Sequence, residues 1–158
     1  MRALTVDNAI EMAVKLDVPV CFMHMKGTPV TMQLKPRYED VISDVTSYLY
    51  ERAEVFLAAG GKPEHIILDP GFGFGKTLDH NVALFKALPK LVTDGKPWLV
   101  GVSRKSMLGE ITGKDIEHRV TSSAVAAALA LKNGAQIVRV HDVAATVDAL
   151  KVIDSLSE

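Results

Sequence analysis

Only one cysteine, Cys21, occurs in the 158 residues, so no intrachain disulfide can form and no thiolate cluster can hold a metal. It sits inside the apolar run Val18-Pro19-Val20-Cys21-Phe22-Met23 and reads as a small buried hydrophobe. No apolar stretch approaches the roughly 20 residues that a membrane helix requires, and Met1-Arg2-Ala3-Leu4-Thr5-Val6-Asp7 lacks the apolar core of a secretion signal. A cytoplasmic location with no membrane partner is expected. An excess of one charge sign is missing too: 18 Lys and Arg stand against 19 Asp and Glu, and no long basic run offers a surface to nucleic acid. His24 has no second histidine or carboxylate nearby at metal-site spacing, so it is expected to be a structural histidine hydrogen-bonded within its loop.

What is present is alternation. With 48% hydrophobic and 23% charged residues the chain can bury a core, and no linker or low-complexity tract divides it. Ala9, Ile10, Ala13 and Val14 form the apolar stripe of a first helix, followed by a strand over 18–23. After the loop Lys26-Gly27-Thr28-Pro29 a long helix is predicted over about 38–59, ending at Gly60-Gly61. A strand over 65–68, a helix capped by Asp79 and running to about Leu88, and a strand over 98–102 come next. An alanine-rich helix over about 120–132, a strand over 135–140 and a helix over about 143–156 complete the pattern.

Such alternation implies an α/β fold with a parallel sheet and right-handed crossovers. Four βα units are half of the eight that close a TIM barrel of about 250 residues. The expected architecture is half of a (β/α)8 barrel, about four parallel βα units in a single partial domain spanning 1–158. Its outer strand edges would need another chain, as a homo-oligomer or through a missing half.

The most specific stretch is Leu68-Asp69-Pro70-Gly71-Phe72-Gly73-Phe74-Gly75-Lys76, an apolar strand running into a carboxylate and a glycine-rich loop. Gly71, Gly73 and Gly75 let backbone approach a flat or anionic ligand, and Asp69 offers two acceptor oxygens. A Walker A loop would need glycine where Pro70 stands, and a dinucleotide fingerprint from Gly71 would need glycine at Lys76; both readings fail. Aspartate before proline also starts turns, so a loop-capping role is the alternative for Asp69, although no local cap is evident for an inward strand-end acid.

Side by side, the predicted strand ends are Met23-His24-Met25, Asp69-Pro70-Gly71, Ser103-Arg104-Lys105-Ser106 and Arg139-Val140-His141-Asp142. Parallel α/β folds collect functional groups at these ends. Side chains alternate along a strand, so Arg139 and His141 share a face; an anion such as phosphate suits them, with an internal ion pair as the alternative. Lys105 precedes Ser106-Met107-Leu108, where a helix can start and where backbone amides near Ser106 can receive a carboxylate. Taken alone, the Ser-Arg-Lys-Ser turn reads as a solvated basic turn.

Taken in order, these four segments, together with Lys26-Gly27-Thr28-Pro29 and Thr31-Met32-Gln33, closely resemble the dihydropteroate synthase family from Asp17 to the closing helix. The resemblance implies the C-terminal half of a TIM barrel and a transferase of folate biosynthesis, the step that sulfonamides block. Its substrates would be p-aminobenzoate and a hydroxymethyl-dihydropterin diphosphate. It also implies roles. Asp69 would accept from the pterin edge, Lys105 would donate to the ring and Met23 would pack near it. Arg139 and His141 would hold the departing diphosphate, so that Lys105, Arg139 and His141 are the catalytic candidates. Gly73, Phe74 and Ser106 would shape the substrate pocket, with the p-aminobenzoate carboxylate near Ser106. The family's first strand loop, of Asn-Val-Thr-Pro-Asp-Ser-Phe type, has no counterpart here; by resemblance it supplies the asparagine that holds Mg2+ and diphosphate, plus further pterin contacts. No metal ligand is therefore expected in this chain. Two other readings are a non-catalytic half-barrel module that binds pterin or phosphate, and a pterin-dependent methyltransferase of the same superfamily, which needs neither the Ser-Arg-Lys-Ser turn nor Arg-Val-His.

Overall fold

A computed structural model describes residues 8–27 and 36–156. Among them are six helices and four strands in strict alternation with one insertion: α1 Ala9–Leu16, β1 Val20–Met23, α2 Val41–Ala58, β2 Ile66–Asp69, α3 Leu78–Leu91, β3 Leu99–Val100, α4 Ser106–Thr112, α5 Val120–Lys132, β4 Ile137–Val138 and α6 Val143–Leu156. The short α4 is the insertion, starting where Ser106 allows it. The segment Thr28-Pro29 with Thr31-Met32-Gln33 lies outside the described residues.

All described strand pairs are parallel. β1 pairs with β2 in the register Val20 to Ile66 through Met23 to Asp69, and β3 pairs with β4 through Leu99 to Ile137 and Val100 to Val138. A bridge between Leu68 and Trp98 joins the two pairs, with the Leu68 amide donating to the Pro97 carbonyl at 2.9 Å, so the spatial order follows the chain. This is the expected succession of βα units from a (β/α)8 barrel.

The strands are shorter than the apolar runs that announce them, and the third is the clearest case. Pro97 has no N–H to donate, and the Trp98 amide is taken by the Gln136 side chain at 2.8 Å, so regular pairing begins only at Leu99. Alternation is otherwise kept. Phe22, Ile66, Leu68, Trp98 and Val100 are fully buried against the helices, where they meet Val45, Leu49 and Phe56 of α2 and Leu84 and Leu88 of α3. Burying each such side chain contributes about 1.5–3 kcal/mol. The opposite parity, with Cys21, Ile67, Leu99 and Ile137, is only partly buried and faces the concave interior that a complete barrel would fill.

Caps position the helices, and one differs from expectation. Asp40 opens α2 by accepting from the Ile42 and Ser43 amides. Helix α3 is capped two residues before the expected Asp79, because Thr77 and His80 form a reciprocal box: the Thr77 hydroxyl accepts from the His80 amide and His80 Nδ1 accepts from the Thr77 amide. Asp79 lies within the first turn, where its charge complements the helix dipole.

Candidate active site

The four strand ends open onto one rim. Met23 and Asp69 are register partners at the ends of β1 and β2, and both line a concavity of about 710 Å³ together with Phe74, Leu99 and Arg139. A smaller recess of about 310 Å³ adjoins it, lined by Gly101, Ser103, Arg104, Lys105, Arg139 and His141. Arg139 belongs to both, so the acid, the lysine and the arginine-histidine pair surround one continuous opening.

Asp69 is buried, with 5% of its surface exposed. Its Oδ1 accepts the Gly71 amide at 2.7 Å, so the loop-capping role is real and a local cap does exist, contrary to the expectation from sequence. The cap is local because the Asp69 side chain bonds to the amide two residues on, across Pro70, in an Asx turn. Among the described residues no hydrogen bond occupies Oδ2, which is left for the opening. Burial pushes the Asp69 carboxyl above its ordinary range, while the Gly71 amide and the charges of Lys105, Arg139 and Lys76 pull it back down.

Lys105 reaches the same place from the far side of the glycine loop. Its ammonium donates to the Phe72 carbonyl and lies 4.6 Å from the centre of the Phe74 ring, while its stem passes Gly73, where an added Cβ would come within 3.3 Å of Lys105 Cδ. Burial brings its pKa down to about 8, with Asp69 opposing and Arg139 assisting that shift. Ser106, next in sequence, is exposed at the first position of α4.

Arg139 is exposed, and its guanidinium lies across Gly101, 3.2 Å from where a Cβ would stand. Among the described residues it forms no ion pair with a carboxylate. The backbone amide of Arg139 still bonds to the Val100 carbonyl at 3.0 Å, which sets its side chain at the end of β4. His141, two residues on, is held by the buried Ser103: the Ser103 hydroxyl accepts the His141 amide at 3.1 Å and meets its Nδ1 at 3.0 Å. Its Nε2 is the ring atom left for a ligand.

Arg104, between these groups, has φ 56°, a conformation costly for a residue with a Cβ. It is over-determined: its amide donates to Ser123 Oγ at 2.9 Å, its carbonyl accepts from Arg119 Nη1 at 3.0 Å, and its guanidinium forms a two-point pair with Asp142 at 2.9 and 2.6 Å. The pair ties the loop that bears Lys105 to the turn that bears His141.

Sequence reasoning missed two residues. Asn81 on α3, 2% exposed, accepts the Gly73 amide at 2.8 Å and donates to the Thr77 carbonyl at 2.7 Å, fixing the glycine loop to the helix that follows it. Lys76, which entered only in ruling out a dinucleotide fingerprint, turns inward: its Nζ donates to the Gly71 carbonyl at 2.9 Å and the Phe74 carbonyl at 3.2 Å and stands 2.9 Å from His24 Nδ1. The glycine spacing was the available signal, since a loop of that kind needs an internal donor for its carbonyls. His24 is hydrogen-bonded, but to Lys76 of the glycine loop after β2 rather than within its own loop; burial and the neighbouring lysine charges bring its pKa down to about 3. Cys21 is half-buried, with its thiol pushed up to about 11 mainly by burial.

Comparison with known proteins gives the family. Residues 3–141 match a family model described as pterin binding enzyme, a match that begins well before Asp17. The dihydropteroate synthase of Neisseria meningitidis serogroup B is 52% identical over 161 residues, covering 99% of this chain and 56% of that protein. The crystal structure of Yersinia pestis dihydropteroate synthase with a sulfonamide drug complex superposes with a TM-score of 0.94 at 43% identity, over 98% of this chain and 56% of that one. The Xanthomonas albilineans enzyme in complex with 7,8-dihydropteroate gives 0.91, also at 43% identity, over 98% and 56%. The chain spans about half the length of the relatives it matches.

Proposed function

This chain belongs to the pterin binding enzyme family, and from that membership we propose that it forms about half of a dihydropteroate synthase and bears that enzyme's pterin and diphosphate contacts. The reaction joins the amine of p-aminobenzoate to the methylene of a hydroxymethyl-dihydropterin diphosphate: a C–N bond forms, the C–O bond to diphosphate breaks, and the amine gives up a proton. The observation that carries the reading is one opening with a buried carboxylate, an ammonium and a guanidinium spaced around it, the carboxylate's Oδ2 and the guanidinium having no hydrogen-bonded or ion-paired side-chain partner among the described residues.

Asp69 Oδ2 is the acceptor for the amino and ring N–H edge of the pterin, and its burial makes a mismatched edge expensive. Lys105 donates to the ring, and Met23 and Phe74 give it apolar walls. Arg139 and His141 meet the charge that develops on the departing diphosphate, and they are held in place before reaction by the β3–β4 ladder and Ser103. The aromatic wall of Phe74, with Gly73 and the exposed Ser106 beside Lys105, suits p-aminobenzoate.

Magnesium is expected to accompany the diphosphate. Its protein ligand is assigned, by the resemblance alone, to the asparagine of the family's first strand loop; among the described residues no group of three His, Cys, Asp or Glu stands together. No helix among the described residues is long and apolar enough to cross a membrane, and we assign the protein to the cytoplasm. Met12, Leu16 and Val18 are exposed on the wall of the larger concavity, and we assign their cover to the rest of a barrel or to a second copy of the chain.

The test is conversion of labelled p-aminobenzoate by the full-length protein that contains this chain. Dihydropteroate should form only with the pterin diphosphate present, and Asp69→Ala or Lys105→Ala should abolish it. Unchanged turnover in either variant would rule out the assigned role, and pterin binding with no turnover by the intact protein would favour a non-catalytic module.

A further inference from the structure

We propose that Lys76 is a positioning residue: its buried side chain holds the Gly71–Gly75 loop against the end of β1 and so sets Asp69 and Phe74 for the pterin. The inference rests on the reading of this opening as a pterin site and assigns it a residue that does not touch the ligand.

The argument begins with valence. An ammonium has three N–H donors, and Lys76 Nζ has three acceptors within reach: the carbonyls of Gly71 and Phe74 and Nδ1 of His24. The match is complete at a residue only 4% exposed, where any unpaired donor would be costly. Two of those acceptors are backbone carbonyls of the loop and one is the His24 ring after β1, so the amine pins the loop backbone to the His24 side chain. The loop backbone is also pressed against the segment after β1. A Cβ on Gly71 would stand 1.8 Å from the His24 carbonyl oxygen, and one on Gly75 would stand 2.4 Å from that of Lys26. The His24 amide reaches the Asp69 carbonyl at 3.0 Å, and the Tyr38 hydroxyl closes the far end on the Gly75 carbonyl at 2.8 Å.

Gly71 transmits the effect. Its carbonyl, in the peptide to Phe72, is held by Lys76, while its N–H, in the peptide from Pro70, donates to Asp69 Oδ1; the two peptides meet at the Gly71 Cα, so releasing the first loosens the second and the carboxylate it holds. Phe74 is held in the same way through its carbonyl and its amide, which reaches the Gly71 carbonyl at 3.1 Å. Charged and titratable groups facing Lys76 are His24 on the β1 side, Asp69 on β2 and Lys105 across the loop; burial dominates and brings the amine down to about 7.

The test uses the full-length protein with Lys76→Met, which keeps the stem and removes all three donors, and Lys76→Arg, which keeps a cation of different shape. Folding is checked by circular dichroism, and a pterin analogue and inorganic diphosphate are titrated separately by calorimetry. Expected for Lys76→Met is at least tenfold weaker binding of the pterin analogue with diphosphate affinity within twofold of wild type, and partial recovery of pterin binding in Lys76→Arg. A pterin affinity within twofold of wild type, or equal losses for both ligands, would overturn the assignment. Should Lys76→Met not fold, His24→Phe removes one acceptor and keeps a ring; a three- to tenfold loss confined to the pterin supports the proposal, and none refutes it. Failure of the wild-type protein to bind any pterin would instead strike the proposed function.

Discussion

Replacing Asp69 by asparagine separates the two jobs of its carboxyl group. Oδ1 is committed to the Gly71 amide at 2.7 Å, an interaction that the asparagine oxygen can keep, which turns Nδ2 toward the opening. There a donor replaces an acceptor, opposite the N–H edge proposed for the ligand. Loss of a hydrogen bond to a charged group together with an unpaired buried donor amounts to roughly 3 kcal/mol, or somewhat more than 100-fold in affinity. Stability should move the other way. The folded-state pKa of Asp69 is raised by burial above its ordinary 3.8, so the folded protein binds more protons than the unfolded chain between that value and the raised one. Stability therefore falls as pH rises through this window, and Asp69→Asn should remove that fall. Calorimetric titration with a pterin analogue and denaturant melts from pH 4 to 8 read both effects. Binding within tenfold of wild type, or a variant that melts earlier at neutral pH, would refute the reasoning.

Lys105→Met should lower turnover at least 100-fold without lowering the melting temperature at pH 7, because burial already disfavours the charge; turnover by the wild type should decline as pH rises through about 8, where the ammonium is lost. Gly101→Ala places a methyl 3.2 Å from the Arg139 guanidinium and should weaken inorganic diphosphate three- to tenfold in a titration, with pterin binding unchanged. Asp142→Asn removes one partner of the two-point contact to Arg104 and should raise KM for both substrates, as steady-state kinetics would show, since it frees the loop bearing Lys105 from the turn bearing His141. Thr77→Ala removes the capping hydroxyl of α3 and should cost about 1 kcal/mol in a denaturant melt, with little effect on binding.

Much of this was legible before any coordinates. Helices α5 and α6 fall over 120–132 and 143–156 as the apolar spacing and Asn133-Gly134 predict, because helix ends are written in local residues. Strand lengths were not legible: nothing in Trp98 to Val102 announces that Pro97 and the Gln136 side chain will withhold the first pairings. The α3 cap shows how a stronger local alternative wins, since Thr77 with His80 satisfies two amides where Asp79 would satisfy one. Asp69, Lys105, Arg139 and His141 were found as strand-end polar residues, a signal that topology alone makes meaningful. Lys76 and Asn81 escaped because their work is done through backbone amides and carbonyls of a loop whose shape only the fold reveals.

The most direct test is a crystal structure of the full-length protein with a pterin diphosphate analogue. The account predicts the pterin edge on Asp69 Oδ2, its ring beside Lys105 and Met23, and the diphosphate on Arg139 and His141. A pterin bound away from Asp69, or a diphosphate held without Arg139, would contradict it.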